Sequence, residues 1–185
     1  MMRGEGWRGE SVAGMYASRK LNGVAMLWDG AEGWTRSGNR IALPAHIRVT
    51  LPAFDCDCEI ISGEGGNSDF SAASLAVRLN RWTPDIHAVC FDAPAALGDW
   101  SQRIQFTRAT GAPCVSSTVC KGDTDLLWLF GRITKPGGEG VMLRTPGKRY
   151  RAGRSRDILK VKWSHHICER MEFEPYAVSA QELSL

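Results

Sequence analysis

Three lysines have the type and spacing that chemistry on a phosphate would need. Lys20 lies in the segment Lys-Leu-Asn-Gly, beside a glycine turn that allows its amine to approach an anion. Lys160 and Lys162 are two residues apart, so on a strand both ammonium groups project from one face. Converging lysines need an anion between them, and each charge lowers the pKa of its neighbour, which makes that amine a better nucleophile. The alternative is that they are three unrelated surface lysines.

Two carboxylates and one aromatic ring could complete such a site. Glu59 and Glu139 each lie in or beside an apolar segment, where a carboxylate hydrogen-bonds a ligand, holds Mg²⁺ or pairs with lysines. Phe91 ends another apolar segment and precedes Asp92. Its ring either stacks on a flat ligand or belongs to the core.

The charge of the chain is unevenly distributed. The 185 residues carry a net charge of +3, but residues 144–162 hold eight basic side chains and one acid, a net charge of +7. The rest of the chain has 15 basic and 19 acidic residues, a net charge of −4. Such a basic stripe indicates either a phosphate-rich partner or a solvated charged face. Arginines outnumber lysines 17 to 6, which favours fork-shaped contacts with phosphates.

Composition excludes several classes of protein. The fractions of hydrophobic residues (43%) and charged residues (23%) are typical of a soluble globular protein of one domain. The apolar run at residues 126–130 is much shorter than the roughly 18 residues of a membrane span, and the polar N-terminus lacks the apolar core of a secretory signal. The six cysteines lack zinc-site spacing, although His165-His166-x-Cys168 could be half of a site. We therefore expect reduced thiols, most of them in the core, in a cytoplasmic protein.

Short strands interspersed with helices must position these residues. Residues 1–14 are Gly-rich and polar, and we expect them to be loosely held. Two short strands around an Asp29-Gly30 turn are predicted within residues 15–34. Residues 55–61 alternate as a strand, with Asp55, Asp57 and Glu59 on one face. Further strands are predicted at residues 86–91, 140–144 and 158–163.

Three helices are predicted from apolar spacing and caps. One spans residues 69–82, with Leu75 and Leu79 on its apolar face. Another starts near Asp99, and the third is capped by Asp123 and stopped by Gly137-Gly138. Because no regular βαβ spacing appears, the pattern predicts an α+β fold with mostly antiparallel sheets.

Six segments, taken in order, resemble the motifs of ATP-dependent DNA ligases and their relatives, the RNA ligases and mRNA capping enzymes. The similarity covers about residues 15–163 and is nearest in form to small bacterial and viral DNA ligases. The segments are residues 20–23 (Lys-Leu-Asn-Gly), 35–39 (Thr-Arg-Ser-Gly-Asn), 57–59 (Asp-Cys-Glu), 89–92 (Val-Cys-Phe-Asp), 139–144 (Glu-Gly-Val-Met-Leu-Arg) and 159–162 (Leu-Lys-Val-Lys). Residues 150–155 resemble the linker before the last motif.

This resemblance implies an α+β nucleotidyltransferase (ATP-grasp-like) domain of mostly antiparallel sheets flanked by helices. It further implies ATP and Mg²⁺, or Mn²⁺ in its place, as cofactors, and nicked duplex DNA as partner. Lys20 would form a covalent lysyl-AMP and pass the AMP to the 5′-phosphate of the nick. The residues expected to bind the nucleotide are Arg19, Asn22, Glu59, Phe91, Lys160 and Lys162, with Glu139 placing the metal. Those expected to contact DNA are Arg36, Arg144, Arg151 and Arg154.

The sequence also departs from the family pattern. Asn22 stands where most members have Asp, Ala25 where small DNA ligases usually have Arg, and Arg19 where an acidic residue is frequent. Only 23 residues follow Lys162, too few for the five-stranded OB barrel that comes next in the family. We expect an adenylation domain at residues 15–163, a tail at 164–185 that could be the remnant of a link to that barrel, and a barrel, if any, supplied in trans.

Two alternatives stay open, one concerning the substrate and the other concerning turnover. One is a nucleotidyltransferase that acts on RNA, since RNA ligases vary at the position of Asn22. The other is a nick-binding remnant with impaired turnover, which the departures at Asn22 and Ala25 and the expected lack of the barrel favour. In each case we expect a monomer without membrane contact.

Overall fold

The computed structural model describes residues 1–63, 70–163 and 167, which form ten strands and four helices. In chain order the elements are β1 (Met2–Gly6), β2 (Tyr16–Arg19), β3 (Val24–Asp29), β4 (Gly33–Thr35), β5 (Arg40–Ile41), α1 (Ala45–Arg48), β6 (Asp55–Ser62), α2 (Phe70–Leu79), β7 (Ile86–Asp92), α3 (Trp100–Arg108), β8 (Ser117–Val119), α4 (Asp123–Thr134), β9 (Val141–Arg144) and β10 (Gly153–Val161).

The strands form two five-stranded sheets. The first has the order β1-β10-β9-β2-β8, and only its β1–β10 pair is parallel. The second has the order β5-β4-β3-β6-β7 and is antiparallel throughout. The α+β class with mostly antiparallel sheets is therefore confirmed, and the part of the chain that the structure describes contains no closed barrel.

Local sequence explains several of these elements. At the β3–β4 turn, the Asp29 carboxylate accepts the N–H groups of Ala31 and Glu32 at 2.9 and 2.7 Å, while Gly30 takes a φ of +92° that favours glycine. Asp99 caps α3 in a capping box with Gln102, which confirms the helix start predicted near Asp99. The alternating residues of β6 place Cys56, Cys58 and Ile60 in the core, which confirms that strand.

Helix details correct two expectations. Asp123 is not the cap of α4: Gly122 holds that position without a side-chain hydrogen bond, and Asp123 lies in the first helical turn. Leu75 and Leu79 do not form the buried face of α2, because they are 48% and 52% exposed. The small side chains of Ala73 and Ala76 are buried instead, which brings the helix backbone close to the sheet.

The N-terminal segment was expected to be loosely held, and that expectation is wrong. Residues 2–6 form β1, which pairs with β10 at the edge of the first sheet. Trp7 and Val12 are buried in the core beneath that sheet, together with Leu126 and Phe130 of α4. The glycines of the segment allow close contact, since a Cβ on Gly4 would lie 2.8 Å from the carbonyl oxygen of Ile158. The expected tail lies outside the described residues apart from Ile167.

Candidate active site

One cavity of about 370 Å³ opens between the two sheets, and it brings most of the predicted residues together. Strands of both sheets contribute to its wall. The predicted residues that line it are Lys20, Arg19, Arg36, Glu59, Phe91, Arg144, Arg154, Lys160 and Lys162. Asn22, Arg151 and Glu139 are not among its lining residues.

The end of β2 positions Lys20. Its backbone N–H donates to the carbonyl of Gly140 at 2.8 Å, so the lysine lies directly beside the segment that carries Glu139. The Glu139 carboxylate forms ion pairs with both Lys20 and Lys162. Burial acts to raise the pKa of Glu139, but hydrogen bonds from Lys162 and Lys20 lower it overall. Two of the three lysines predicted to converge on an anion therefore meet at one, and the anion is a carboxylate of the chain itself.

The spacing of Lys160 and Lys162 has the expected effect, since both line the cavity from the C-terminal part of the basic stripe. Lys160 pairs in register with Met142 of β9 and is only partly exposed. Burial, together with the charges of Lys162, Lys20 and Arg154, lowers the pKa of Lys160. The cavity thus holds cations in excess, and an anionic ligand would relieve their repulsion.

Glu59 is the carboxylate inside the cavity wall. Burial raises its pKa to about 7, against the opposing effects of Lys20, a backbone hydrogen bond from Gly23 and Arg36. The group can therefore be a hydrogen-bond donor or an acceptor near neutral pH. Such a group suits the hydroxyls of a sugar better than the charge of a phosphate.

An apolar part of the wall surrounds Phe91. Its neighbours in the wall include Leu21, Val115 and Met142. The carbonyl of Phe91 accepts the indole N–H of Trp100 at 2.7 Å, which fixes β7 against α3. A flat ring could lie against these side chains while charged groups of the ligand reach the lysines.

The arginines predicted to contact DNA separate into three environments. Arg36 and Arg154 are exposed at the cavity, whereas Arg151 lies outside it and pairs with Asp157 at 2.9 Å. Arg144 is only 4% exposed, donates to Ser18 Oγ at 2.8 Å and lies 4.3 Å from the Trp100 ring centre. Its burial lowers its pKa to about 10. This placement contradicts a surface contact between Arg144 and a DNA backbone, because the side chain is enclosed between β2, β9 and α3.

Sequence reasoning missed the wall that β1 contributes. Met1, Met2, Arg3 and Gly4 all line the cavity, beside Ile158 of β10. The sequence offered one weak signal, a charged Arg3 between the uncharged Met2 and Gly4, which the structure shows as an alternation of exposed and buried residues. Its partner strand is about 150 residues away, so no local pattern could have assigned the pairing.

Comparison with known proteins gives relatives at the level of sequence and of fold. No protein-family model matches the chain. A DNA ligase of Haemophilus influenzae is 28% identical over an alignment of 163 residues, and the alignment covers 84% of this chain and 60% of that protein. The chain therefore spans about three fifths of the length of this relative.

The solved structures that resemble this chain are also structures of DNA ligases. One comes from a study of DNA binding by Lig E DNA ligases, with a TM-score of 0.74 and 25% identity over 88% of this chain and 68% of that one. The Chlorella virus DNA ligase–adenylate has the same TM-score at 20% identity, over 87% and 67% of the two chains. The resemblance to the adenylation domain of ATP-dependent DNA ligases, which the six motifs predict, is thereby confirmed.

Proposed function

We propose that this chain is the catalytic adenylation domain of an ATP-dependent DNA ligase, with Lys20 as the nucleophile. One observation carries the proposal: Lys20 and Lys162 meet at Glu139 beside a cavity that also presents Glu59, Phe91 and Lys160. These are the positions that the motifs mark as the nucleotide site. The DNA ligase relative and the ligase structures that share this fold support the assignment.

In the first step, the amine of Lys20 attacks the α-phosphate of ATP. A phosphorus–nitrogen bond forms, the bond to the β-phosphate oxygen breaks, and pyrophosphate leaves. Lys20 must first lose a proton, and Glu139 is the carboxylate in contact with its ammonium group. Lys160 and Lys162 then neutralise the charge that develops on the phosphate.

Glu59 and Phe91 would orient the nucleoside during this step. The partly buried Glu59 carboxyl would hold the ribose hydroxyls, and Phe91 would stack on the adenine. Arg19, at the end of β2, and Asn22 remain candidates for supporting contacts, although only Arg19 lines the cavity.

A divalent cation fits this site only together with the nucleotide. Within the described ranges, no group of three or more His, Cys, Asp or Glu residues could hold a metal. Mg²⁺ is commonly bound by one or two carboxylates plus substrate phosphates, so Glu139 could hold Mg²⁺ or Mn²⁺ once ATP draws the lysines away. The bound ion would polarise the phosphate and neutralise its charge.

The AMP would next pass to a 5′-phosphate at a DNA nick, where the 3′-hydroxyl displaces it. Arg36 and Arg154 are exposed at the cavity mouth and would contact the DNA phosphates, with Arg151 farther along the same stripe. An OB-fold protein supplied in trans would complete the DNA clamp around a monomer of this chain. We place this activity in the cytoplasm. The part of the chain that the structure describes contains no helix that could span a membrane.

Incubation with α-labelled ATP and Mg²⁺ tests the proposal. The wild-type protein should acquire a covalent, acid-labile label, and Lys20→Ala should acquire none. Lys121→Ala is the matched control, because Lys121 is exposed and outside the cavity. An unlabelled wild-type protein, under conditions where a longer DNA ligase is labelled, would contradict autonomous adenylation.

The RNA-acting alternative is favoured by Asn22 alone. It predicts that the labelled protein transfers AMP to RNA-containing nicks faster than to nicked DNA. The nick-binding remnant instead predicts salt-sensitive binding to nicked DNA that Lys20→Ala leaves unchanged, without any label. The same samples of wild-type protein and Lys20→Ala serve for both tests.

A further inference from the structure

Three cysteines meet behind the cavity wall. Cys58 of β6 and Cys90 of β7 are register partners, and their sulfur atoms are 3.4 Å apart. Cys90 also forms a parallel β-bridge with Cys114, through hydrogen bonds of 2.8 Å from its N–H to Pro113 and 3.0 Å from Val115 to its carbonyl. Bridge partners on neighbouring strands lie about 4.8 Å apart, within the Cα separation that a disulfide accepts.

The three thiols differ in their access to solvent. Cys58 and Cys90 are fully buried, whereas Cys114 is partly exposed. The hydrogen bond with Cys90 and the nearby charge of Arg108 lower the pKa of Cys114. Contacts with Cys114, Cys56 and Cys58 raise the pKa of Cys90. Cys114 is therefore the thiolate that a reagent in solution meets first.

We propose that Cys114 and Cys90 form a dithiol site that reacts with a low-molecular-weight disulfide and closes into a Cys90–Cys114 disulfide bond. A metal is not the expected occupant, because the described part of the chain offers no cysteine group that could hold one.

The reaction proceeds by two thiol–disulfide exchanges. The Cys114 thiolate attacks one sulfur of the reagent, whose sulfur–sulfur bond breaks and releases a thiolate. The sulfur of Cys90 then attacks the Cys114 sulfur of the mixed disulfide, and the second reagent thiolate leaves with the proton of Cys90. Two protein thiols are thereby oxidised, and one small disulfide is reduced to two thiols.

The position of this pair connects it to the cavity. Phe91 and Val115, the residues that directly follow Cys90 and Cys114, both line the cavity wall. Cys114 also packs against the cluster of Trp100, Ile104 and Val115 that supports this wall. A covalent bond would hold these two wall residues at a fixed separation, so we infer that oxidation slows nucleotide loading. This last step rests on the proposed function.

Mass spectrometry of the full chain after treatment with glutathione disulfide tests the site without reference to activity. We expect a linked pair of tryptic peptides that contain Cys90 and Cys114, reversed by dithiothreitol. The tryptic peptide with Cys114 also contains Cys120, so Cys120→Ala is the matched control that must keep the link. Cys58→Ala should also keep it, and Cys114→Ala should lose it.

Two results of the mass spectrometry would contradict the proposed dithiol site. Free Cys90 in the treated wild-type protein, or a Cys58–Cys90 link that forms equally well in Cys114→Ala, would overturn the site. In a second measurement, the oxidised protein should form the covalent adenylate more slowly and recover with dithiothreitol. An unchanged rate would overturn the connection to the cavity, whereas an unlabelled reduced protein would count against the proposed function alone.

Discussion

Two charged regions of this molecule lie side by side and are built in opposite ways. Behind the cavity, the Arg103 guanidinium donates to both carboxylate oxygens of Asp92 at 2.7 and 3.1 Å, and each side chain is only 2% exposed. At the cavity, the lining lysines and arginines outnumber Glu59, which lines it, and Glu139, which lies beside it, and many of these cations remain exposed to solvent. Matched buried charges fix the fold, whereas unmatched accessible cations leave room for an anion.

The matched region also joins the two sheets. Arg103 additionally donates to the carbonyls of Gly98 and Lys148, at 2.9 and 3.3 Å. The hydroxyl of Tyr150 donates to Asp57 of β6 at 2.8 Å. The segment between β9 and β10 is therefore bound to the second sheet, immediately before the strand that carries Lys160.

Breaking the matched pair should give the largest effect on stability. Arg103→Ala leaves the Asp92 carboxylate buried without its partner, and we expect a loss of about 3–5 kcal/mol in the free energy of unfolding. Urea denaturation followed by tryptophan fluorescence measures it. Arg151→Ala, which removes an exposed pair with Asp157, should cost about 0–1 kcal/mol. Equal losses in the two variants would show that burial does not distinguish the two regions.

The next effect concerns Glu59, a carboxyl that lines the cavity and is partly buried. Because the pKa of Glu59 rises to about 7 from an unfolded value of 4.5, protonation stabilises the folded state. This stabilisation is complete below about pH 4.5 and is lost as the pH rises through 7. Relative to Glu59→Gln, the wild-type free energy of unfolding should fall by up to about 3 kcal/mol over that interval.

Urea titrations at several pH values measure this difference. Asp55→Asn is the matched control, since Asp55 is an exposed carboxylate on the same strand. A constant difference between wild type and Glu59→Gln from pH 4.5 to 7 would mean that Glu59 is solvated in the folded protein.

Glu139 is the counter-ion of two cations at the cavity, and its removal should increase the excess of positive charge there. Glu139→Gln frees Lys20 and Lys162, so ATP without a divalent ion should bind about fivefold more tightly, equivalent to about 1 kcal/mol. Calorimetric titration in EDTA measures the affinity. Glu32→Gln is the control, because that carboxylate pairs with Arg40 and Arg48 away from the cavity. Weaker binding by Glu139→Gln would show that the carboxylate supports the nucleotide directly.

The sequence predicted the residues at the cavity better than the packing of the strands and helices around them. Motif order identified the lysines and Glu59 because these residues belong to short segments whose chemistry is local. The burial of Arg144 could not be predicted, because it depends on Ser18 and Trp100 from distant elements. The wall formed by β1 depends on a parallel pairing with β10, and the buried face of α2 depends on close packing at Ala73. The spacing of residue types along the sequence gives no indication of such long-range contacts.

The smallest expected effect distinguishes two arginines of the basic stripe. It tests whether a cation without a carboxylate partner contributes more to DNA binding than a paired one. Arg154 is exposed at the cavity and has no carboxylate within ion-pair distance among residues 1–63 and 70–163, whereas Arg151 pairs with Asp157. A free guanidinium can replace a counterion on a phosphate, but a paired one must first leave its carboxylate. Arg154→Ala should therefore reduce the slope of log affinity against log salt by about 1 for nicked DNA, and Arg151→Ala should reduce it less. Fluorescence anisotropy at four salt concentrations measures both slopes, and a larger change in Arg151→Ala would place the DNA path outside the cavity mouth.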